Sequence, residues 1–238
     1  MQSDRRAEDL SSKKKPVLIL DYDGTLHDSS AIYEPAFRRT MTELQEQGWI
    51  PREEYTSEEI NYWVGFTAQE MWLKFHPELS DEQRNTAGRR IGKYMMEALR
   101  TGRGRLYEGV RETLEALHQD YELVFLSNCM SDYAAIHREV FGLDRWIDRY
   151  FCTGDYGFKP KEEVFEKYIR EPGRQYIAVG DRMKDRRLAE SCRLPFIGCL
   201  YGFGTGEELQ PADALIESVS ELKAAADRIM QKQPPLLT

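Results

Sequence analysis

Short apolar runs and helical patterns alternate along most of this chain. The apolar runs lie at 17–20, 121–126, 176–180, 196–200 and 214–216. Short runs bounded by polar residues and glycine are typical of buried strands. The stretches between the later runs carry apolar residues at helical spacing. This alternation predicts a doubly wound α/β core, in which crossover helices connect the strands of a parallel sheet.

Residues 28–105 have a different pattern, because helical spacing continues there without a convincing strand. A block of helices cannot join the sheet, so we expect a separate helical cap over the strand ends. Gly102 and Gly104 then fit a hinge that opens and closes this cap. The apolar positions that follow the helical spacing are Phe37, Met41, Leu44, Ala68, Met71, Trp72, Phe75, Ala87, Ile91, Tyr94, Met95 and Leu99.

The predicted organisation has one core, one insertion and two polar ends. The core comprises 16–27 and 106–232, and the cap comprises 28–105. We expect a disordered leader over 1–15 and a flexible tail over 233–238. The leader lacks the apolar middle of a signal peptide, and no apolar stretch approaches membrane-spanning length. These features predict a cytoplasmic protein without a membrane partner.

Composition narrows the classes of function. A chain of 238 residues is long enough to bury a sizeable core. Its net charge of -8 argues against a nucleic-acid surface, which would need a basic patch. The four cysteines form no metal-binding spacing, so we expect reduced thiols. Oligomeric state cannot be read from these features.

Two carboxylates and a glycine follow the first apolar run directly. Asp21 and Asp23 are one residue apart, and Gly24 comes next. Alternate strand residues share a face, so both carboxylates can converge at the carboxyl end of the strand, where open parallel sheets bind ligands. Converging carboxylates repel one another unless a cation compensates them, and Mg²⁺ prefers oxygen ligands. The alternative is a solvated Asp-Gly turn.

Polar residues also mark the ends of later strands. Ser127 ends the second run, Lys159 stands before a helical pattern, and Asp181 with Asp185 follows the third run. Together with the segment 21–25, these residues resemble the four motifs of the haloacid dehalogenase superfamily, in order, over 17–222. The segments 106–111, 142–144 and 201–204 are similar to its phosphoglycolate phosphatase branch.

This resemblance implies a Rossmann-like core with a helical cap inserted after the first motif. It assigns Asp21 as the nucleophile that attacks phosphorus, and Asp23 as the general acid and base. An acid at position 23 points to phosphoryl transfer rather than dehalogenation. The metal would be Mg²⁺, with Asp181 as a direct ligand and Asp185 acting indirectly. The implied metal set is Asp21, Asp23 (through its backbone carbonyl), Asp181 and Asp185.

Phosphate binding needs cations and donors around the transferred group. Ser127 offers a hydroxyl, and Lys159 offers a charge that can bridge phosphate and Asp21. We favour Lys159 over Lys161 because it precedes Pro160, whereas Lys161 begins the helix. The backbone or side chains of Gly24, Thr25 and Asn128 are further candidate donors.

The cap gives weaker signals. Gly65 allows close backbone approach to the site, and the aromatics beside it either line the pocket or pack the cap. Arg103 and Arg105 either face an anionic substrate or belong to a solvated hinge, which we favour. We expect His27 at the pocket edge at most, and Arg182 to point outward into solvent. The aromatics in question are Tyr62, Trp63 and Phe66.

The sequence therefore predicts a Mg²⁺-dependent phosphatase that hydrolyses small phosphorylated metabolites through an aspartyl-phosphate. Phosphoglycolate is the leading substrate candidate. A phosphosugar mutase similar to β-phosphoglucomutase, or a pyrophosphatase or nucleotidase of the same branch, is the alternative. A non-catalytic binding module is least favoured, because every motif residue is intact.

Overall fold

The computed structural model describes residues 14–232, and its centre is a six-stranded parallel sheet. The strand order is β3-β2-β1-β4-β5-β6, so β1 lies between β2 and β4. The predicted α/β sheet is confirmed. The strands are β1 (Val17–Leu20), β2 (Glu122–Ser127), β3 (Arg149–Cys152), β4 (Tyr176–Gly180), β5 (Phe196–Cys199) and β6 (Ala214–Ile216).

Strand β1 is buried on both faces, as its four apolar residues predict. Leu18 and Leu20 pack into one apolar cluster, while Val17 and Ile19 pack into another on the opposite face of the sheet. Strand β3 is the one strand that the apolar pattern did not indicate. It lies at the sheet edge, where its first three residues are only half-buried, so it needs no apolar run.

Helices cover both faces of the sheet. Helices α5 and α9 contribute to the cluster that contains Leu18, and α7 and α8 contribute to the cluster that contains Val17. Helix α7 is short and continues as a π-helical segment, Phe165–Ile169. The helices of the core are α5 (Val110–Asp120), α6 (Ser131–Phe141), α7 (Lys161–Val164), α8 (Met183–Cys192) and α9 (Leu222–Lys232), with 3-10 turns at Leu143–Arg145, Thr153–Tyr156 and Val219–Glu221.

The insertion between β1 and α5 is helical and has an apolar cluster of its own. This cluster includes Phe37, Met71 and Trp72, and Phe203 packs against it from the core. Thr56, Thr67 and Ser80 each begin a helix with a capping box, in which side chain and backbone satisfy one another. The helices are α1 (Ser30–Glu46), α2 (Ser57–Asn61), α3 (Ala68–Phe75) and α4 (Asp81–Arg100).

The two connections between the cap and the core lie side by side. His27 and Leu106 form an antiparallel bridge, and the amide of Asp28 donates to the carbonyl of Arg105 at 3.0 Å. The Arg105 guanidinium also binds the Asp28 carboxylate at 2.8 Å. Arg105 therefore joins the two connections, and a hinge at this place stays a prediction.

The predicted leader and tail lie outside the described residues, except for the last two leader residues. Lys14 contacts Glu171, and Lys15 donates to the carbonyl of His118. All four cysteines are free. Within 14–232, no helix combines the length and apolarity that crossing a membrane requires.

Candidate active site

A cleft of about 1220 Å³ lies between the carboxyl ends of the strands and the cap. Asp21, Asp23 and Ser127 reach it from the ends of β1 and β2. Helix α4 and the loop around Gly65 line the opposite side. The sheet thus brings together side chains that are remote in sequence, at the edge where ligands bind in open α/β folds.

The floor of the cleft holds a buried lysine between two carboxylates. The Nζ atom of Lys161 lies 2.8 Å from Oδ1 of Asp21 and 2.6 Å from Oδ1 of Asp185. Burial lowers the pKa of Lys161, but Asp185 and Asp21 more than offset this, so that its pKa is raised. Burial and Asp185 raise the pKa of Asp21 to about 6, against the opposing effect of Lys161.

The prediction that Lys159 is the lysine of the site is wrong. Its side chain is 51% exposed and lies 4.0 Å from Glu163 on the protein surface. Lys161 occupies the site because α7 begins there and directs its first side chain towards the strand ends. Asp185 likewise contacts Lys161, not Lys159.

A third carboxylate, Asp181, completes an acidic cluster with Asp21 and Asp185. One carboxylate oxygen from each of the three residues lies within 4.8 Å of the other two. Asp181 is fully buried, and it accepts hydrogen bonds from the Thr25 hydroxyl at 3.2 Å and the Phe203 amide at 2.8 Å. Burial, Asp21 and Asp185 raise its pKa well above the usual value. When all three carboxylates are ionised, the cluster carries more negative charge than Lys161 neutralises.

Asp185 both joins this cluster and caps a helix. Helix α8 begins at Met183, and Oδ2 of Asp185 accepts from the amide of Arg182 at 3.1 Å. Asp185 therefore caps the helix with one oxygen and binds Lys161 with the other.

Two predicted phosphate donors serve the first turn instead. The amide of Gly24 donates to the His27 carbonyl at 2.9 Å, and the amide of Thr25 donates to the Tyr22 carbonyl at 3.2 Å. Because the turn uses both amides, the prediction that they donate to phosphate is wrong. Gly24 has φ +84°, and a Cβ there would lie 2.1 Å from Oδ2 of Asp181, so only glycine fits.

Ser127 and Asn128 lie at the cleft, as the strand-end pattern predicts. Ser127 is buried at the end of β2. Asn128 accepts from Thr153 at 3.0 Å through its side-chain oxygen, and its amide group donates to the carbonyl of Gly65 at 3.4 Å. Asn128 thus connects the strand end to the cap loop, where Gly65 has φ +88°.

Asp23 lies beside the acidic cluster but is not part of it. Its Oδ1 atom accepts from the Tyr133 hydroxyl and from Nδ1 of His27, each at 2.8 Å. His27 is fully buried, so the expectation of a residue at the pocket edge is wrong. The tight turn after β1 folds the chain back and places His27 beneath Asp23.

Arg182 points inward, contrary to the expectation of a solvated side chain. It is 8% exposed, and its Nε donates to Glu208 at 2.9 Å. Its Nη1 donates to the carbonyls of Tyr62 and Val64 in the cap loop. The buried guanidinium finds its hydrogen-bond acceptors in backbone carbonyls of the cap. These acceptors depend on the tertiary structure, so the sequence around Arg182 does not indicate them.

The family model of the haloacid dehalogenase-like hydrolases matches residues 18–199, which is most of the chain and includes every strand-end group described above. This chain belongs to that family. The predicted membership is confirmed.

Relatives of this haloacid dehalogenase-like hydrolase carry phosphatase names. A phosphoglycolate phosphatase of Vibrio vulnificus is 26% identical over 90% of this chain and 96% of its own length. The pyrophosphatase PpaX of Listeria monocytogenes is 25% identical over 89% of this chain and 96% of its own length. The family and these relatives together identify the chain as a phosphatase of this family.

Solved structures share the fold. That of a predicted phosphatase from Clostridium acetobutylicum has a TM-score of 0.76 and 23% identity, and the match covers 92% of this chain and 99% of that one. The structure of CbbY from Rhodobacter sphaeroides in complex with phosphate has a TM-score of 0.71 and 19% identity, and the match covers 90% of this chain and 99% of that one. At these identities the likeness shows a common fold.

The aromatic residues of the hydrolase cap divide between the two roles considered. Trp63 and Phe66 line the cleft, whereas Tyr62 is 55% exposed and packs against both of them. Arg103 and Arg105 are exposed and do not line this cleft. The cations that line its cap side are Arg84, Arg89, Lys93 and Arg100 of α4.

Sequence reasoning missed Tyr133 altogether. It lies on α6, 110 positions after its partner Asp23, and no motif surrounds it. Only the packing of α6 against the end of β1 brings it to the site. His27 carried a weak signal, since it stands four residues after Asp23 in the same turn.

Proposed function

We propose that this protein is a Mg²⁺-dependent phosphatase that cleaves small phosphate monoesters through an aspartyl-phosphate on Asp21. The observation that carries the proposal is the contact of Lys161 with Asp21 at the floor of the cleft, where Nζ of Lys161 lies 2.8 Å from Oδ1 of Asp21. A buried carboxylate held by a fixed cation is a suitable nucleophile for phosphorus. The same cation can neutralise the oxygens of the transferred phosphoryl group.

The reaction would proceed in two steps. An oxygen of Asp21 attacks phosphorus, the bond from phosphorus to the leaving oxygen breaks, and Asp23 gives its proton to that oxygen. Water then attacks the phosphorus of the aspartyl-phosphate and gives a proton back to Asp23. Inorganic phosphate leaves, and Asp21 regains its carboxylate. Lys161 holds Asp21 in place throughout.

The acidic cluster fits a hard divalent cation. Asp21, Asp181 and Asp185 present buried oxygen ligands, and burial, together with the neighbouring carboxylates Asp21 and Asp185, raises the pKa of Asp181. Asp181 and Asp21 would hold the ion, with the backbone carbonyl of Asp23, and Asp185 would act indirectly. When bound, Mg²⁺ would supply charge neutralisation for the phosphoryl oxygens.

The substrate proposal is a small phosphorylated metabolite, with phosphoglycolate as the leading candidate. Its support is the name of the relative from Vibrio vulnificus. The cleft of about 1220 Å³ exceeds what so small a molecule fills, so larger sugar phosphates belong in the same test. Residues 28–105 would act as a cap that closes over the substrate, and the cytoplasmic location stays a prediction.

The test is phosphate release from a panel of substrates in the presence of Mg²⁺. The panel contains phosphoglycolate, sugar phosphates, nucleoside monophosphates and pyrophosphate, since one relative is named a pyrophosphatase. We expect the wild type to hydrolyse phosphate monoesters and Asp21→Asn to be inactive. Activity that survives in Asp21→Asn contradicts the aspartyl-phosphate.

The phosphosugar mutase alternative is tested with the same protein. A mutase returns phosphate to the sugar, so an isomeric sugar phosphate accumulates and little free phosphate appears. Product analysis of the sugar-phosphate reactions separates these outcomes. An isomer without free phosphate would replace the proposed hydrolase with a mutase.

A further inference from the structure

Two side chains donate to the same oxygen of Asp23. The Tyr133 hydroxyl and Nδ1 of His27 each lie 2.8 Å from Oδ1. Among the residues that the structure describes, none donates to Oδ2 of Asp23. The Asp23 side chain is 20% exposed and reaches the cleft, whereas His27 is fully buried behind it.

Ring packing fixes both donors. The His27 ring stacks on Tyr22, with centroids 5.2 Å apart and 9° between the planes, and it meets the edge of His137 at 4.6 Å. The Tyr133 ring lies 4.1 Å from His137. His137 is in turn held by a hydrogen bond of 2.7 Å to the Tyr22 hydroxyl. Neither donor can rotate freely away from Asp23.

Because both donors bind Oδ1, the two carboxylate oxygens of Asp23 differ chemically. A carboxylate oxygen that already accepts two hydrogen bonds is a poor position for a proton, because the added O–H would face two donors. A protonated Asp23 therefore carries its proton on Oδ2, and Oδ1 remains the acceptor.

We propose that His27 and Tyr133 are positioning residues that hold Oδ1 of Asp23, so that Oδ2 is the oxygen that exchanges the proton during catalysis. This proposal rests on the proposed phosphatase function. Oδ2 gives its proton to the leaving oxygen as the bond between that oxygen and phosphorus breaks. It receives a proton from water as water attacks the aspartyl-phosphate.

The proposal predicts an effect that depends on the leaving group. A strongly basic alkoxide cannot leave without a proton, whereas p-nitrophenolate can leave unprotonated. Misplacing Oδ2 should therefore slow cleavage of benzyl phosphate far more than cleavage of p-nitrophenyl phosphate. The two esters have similar size, and kcat/KM reports the step in which the leaving group departs.

The experiment compares kcat/KM of the wild type, Tyr133→Phe and His27→Phe with Mg²⁺ on these two esters. Tyr133→Phe keeps the ring and removes only the hydroxyl, and His27→Phe keeps an aromatic ring at that position but removes both imidazole nitrogens. We expect each variant to lose about tenfold or more on benzyl phosphate and less than about twofold on p-nitrophenyl phosphate. Equal losses on both esters, or no loss on either, would overturn the proposal.

Tyr121→Phe is the matched control. Its hydroxyl also donates to a carboxylate, that of Asp227 at 2.8 Å, but it stands before β2, at the edge of the sheet opposite the site. We expect no change on either ester. A wild type inactive on both esters, or an active Asp21→Asn, would instead refute the proposed function, and this inference with it.

A spectroscopic readout covers the case in which a phenylalanine variant does not fold. In protein labelled with ¹⁵N-histidine, the buried Nδ1–H of His27 should give a slowly exchanging imidazole signal. Asp23→Asn should shift that signal, because the acceptor changes from carboxylate to amide. Absence of such a signal in the wild type would overturn the proposal that His27 holds Oδ1 of Asp23.

Discussion

At the scale of the residue, Lys159 and Lys161 show that two lysines close in sequence can differ completely in burial. They stand two positions apart, yet the Lys159 side chain is 51% exposed and that of Lys161 is 2% exposed. The sequence could place a lysine near the start of a helix, but not decide which one points inward. That choice depends on where α7 begins relative to β1, which is a tertiary property.

Exchange of each lysine for methionine tests this assignment. Lys161→Met removes the charge beside Asp21 and should lower kcat/KM for a phosphate monoester by about 100-fold or more. Lys159→Met should stay within about twofold, because its surface pair contributes little. Phosphate release by the two variants checks this. Comparable losses in both would show that Lys161 has no special part in the reaction.

His137 predicts how stability changes with pH. Burial, followed by His27, lowers the pKa of His137 from 6.5 to about 3, although Asp23 acts in the opposite direction. Between these values the unfolded chain binds a proton that the folded protein excludes. Stability should therefore fall as pH decreases through this range, by up to about 1.4 kcal/mol per pH unit from this group.

The double variant Tyr22→Phe with His137→Phe isolates that contribution, since it removes both members of one buried hydrogen bond. Urea unfolding of the variant and of the wild type is measured at about pH 7 and about pH 5. The free energy of unfolding that is lost between these two pH values should be smaller in the variant than in the wild type by roughly 1–2 kcal/mol. An unchanged loss would mean that other groups cause the pH dependence. His118→Gln serves as a control, because this histidine is 40% exposed.

At the scale of the element, helix α8 connects the core to the cap. Arg182 at its start donates to two carbonyls of the cap loop, and Lys184 contacts Glu70 at 2.5 Å. Burial raises the pKa of Glu70, but Lys184 and Thr67 together more than offset this, so the net pKa is lowered. These contacts hold the loop around Gly65 against the strand ends.

Arg182→Ala should loosen this loop. The two carbonyls lose their donor, and amide hydrogen exchange over 57–75 should become at least about fivefold faster. Mass spectrometry of the exchanged protein measures this. Arg187→Ala is the control on the same helix, because its side chain is 67% exposed and pairs with Glu162 of the core. Equal exchange in the wild type and Arg182→Ala would show that other contacts hold the loop.

The elements differ in how far the sequence predicts them. Strands β1, β2, β4 and β5 are buried, so their apolar runs identify them, and the helical pattern of the cap does the same for α1, α3 and α4. Strand β3 and helix α2 lack such patterns. The acids of the site follow strand ends and were predictable, whereas Tyr133 and Arg182 reach it from parts of the fold that no local pattern relates to it.

At the scale of the whole molecule, the excess of buried negative charge links stability to the metal. Mg²⁺ should raise the melting temperature of the wild type. At a Mg²⁺ concentration 100 times its Kd, the free energy of unfolding should increase by about 2.7 kcal/mol. Asp181→Asn should abolish this response and raise the melting temperature without metal, because it removes one of three crowded carboxylates.

Thermal unfolding with Mg²⁺ and with a chelator measures both effects. Asp120→Asn, whose carboxylate is 61% exposed at the surface, is the control and should respond to Mg²⁺ as the wild type does. A wild type that Mg²⁺ does not stabilise would contradict the metal assignment, as would an Asp181→Asn variant that it stabilises equally.

The central position of β1 also has a consequence for synthesis of the chain. Val17 pairs with Glu122 on one side and Tyr176 on the other, so both neighbours of the first strand are made much later. At about 5–20 residues per second, its four apolar residues wait on the order of ten seconds for their partners. The cap, whose apolar cluster is largely its own, can fold during that interval. A ribosome-bound chain would thus carry a folded cap beside an unpaired apolar strand that chaperones can bind.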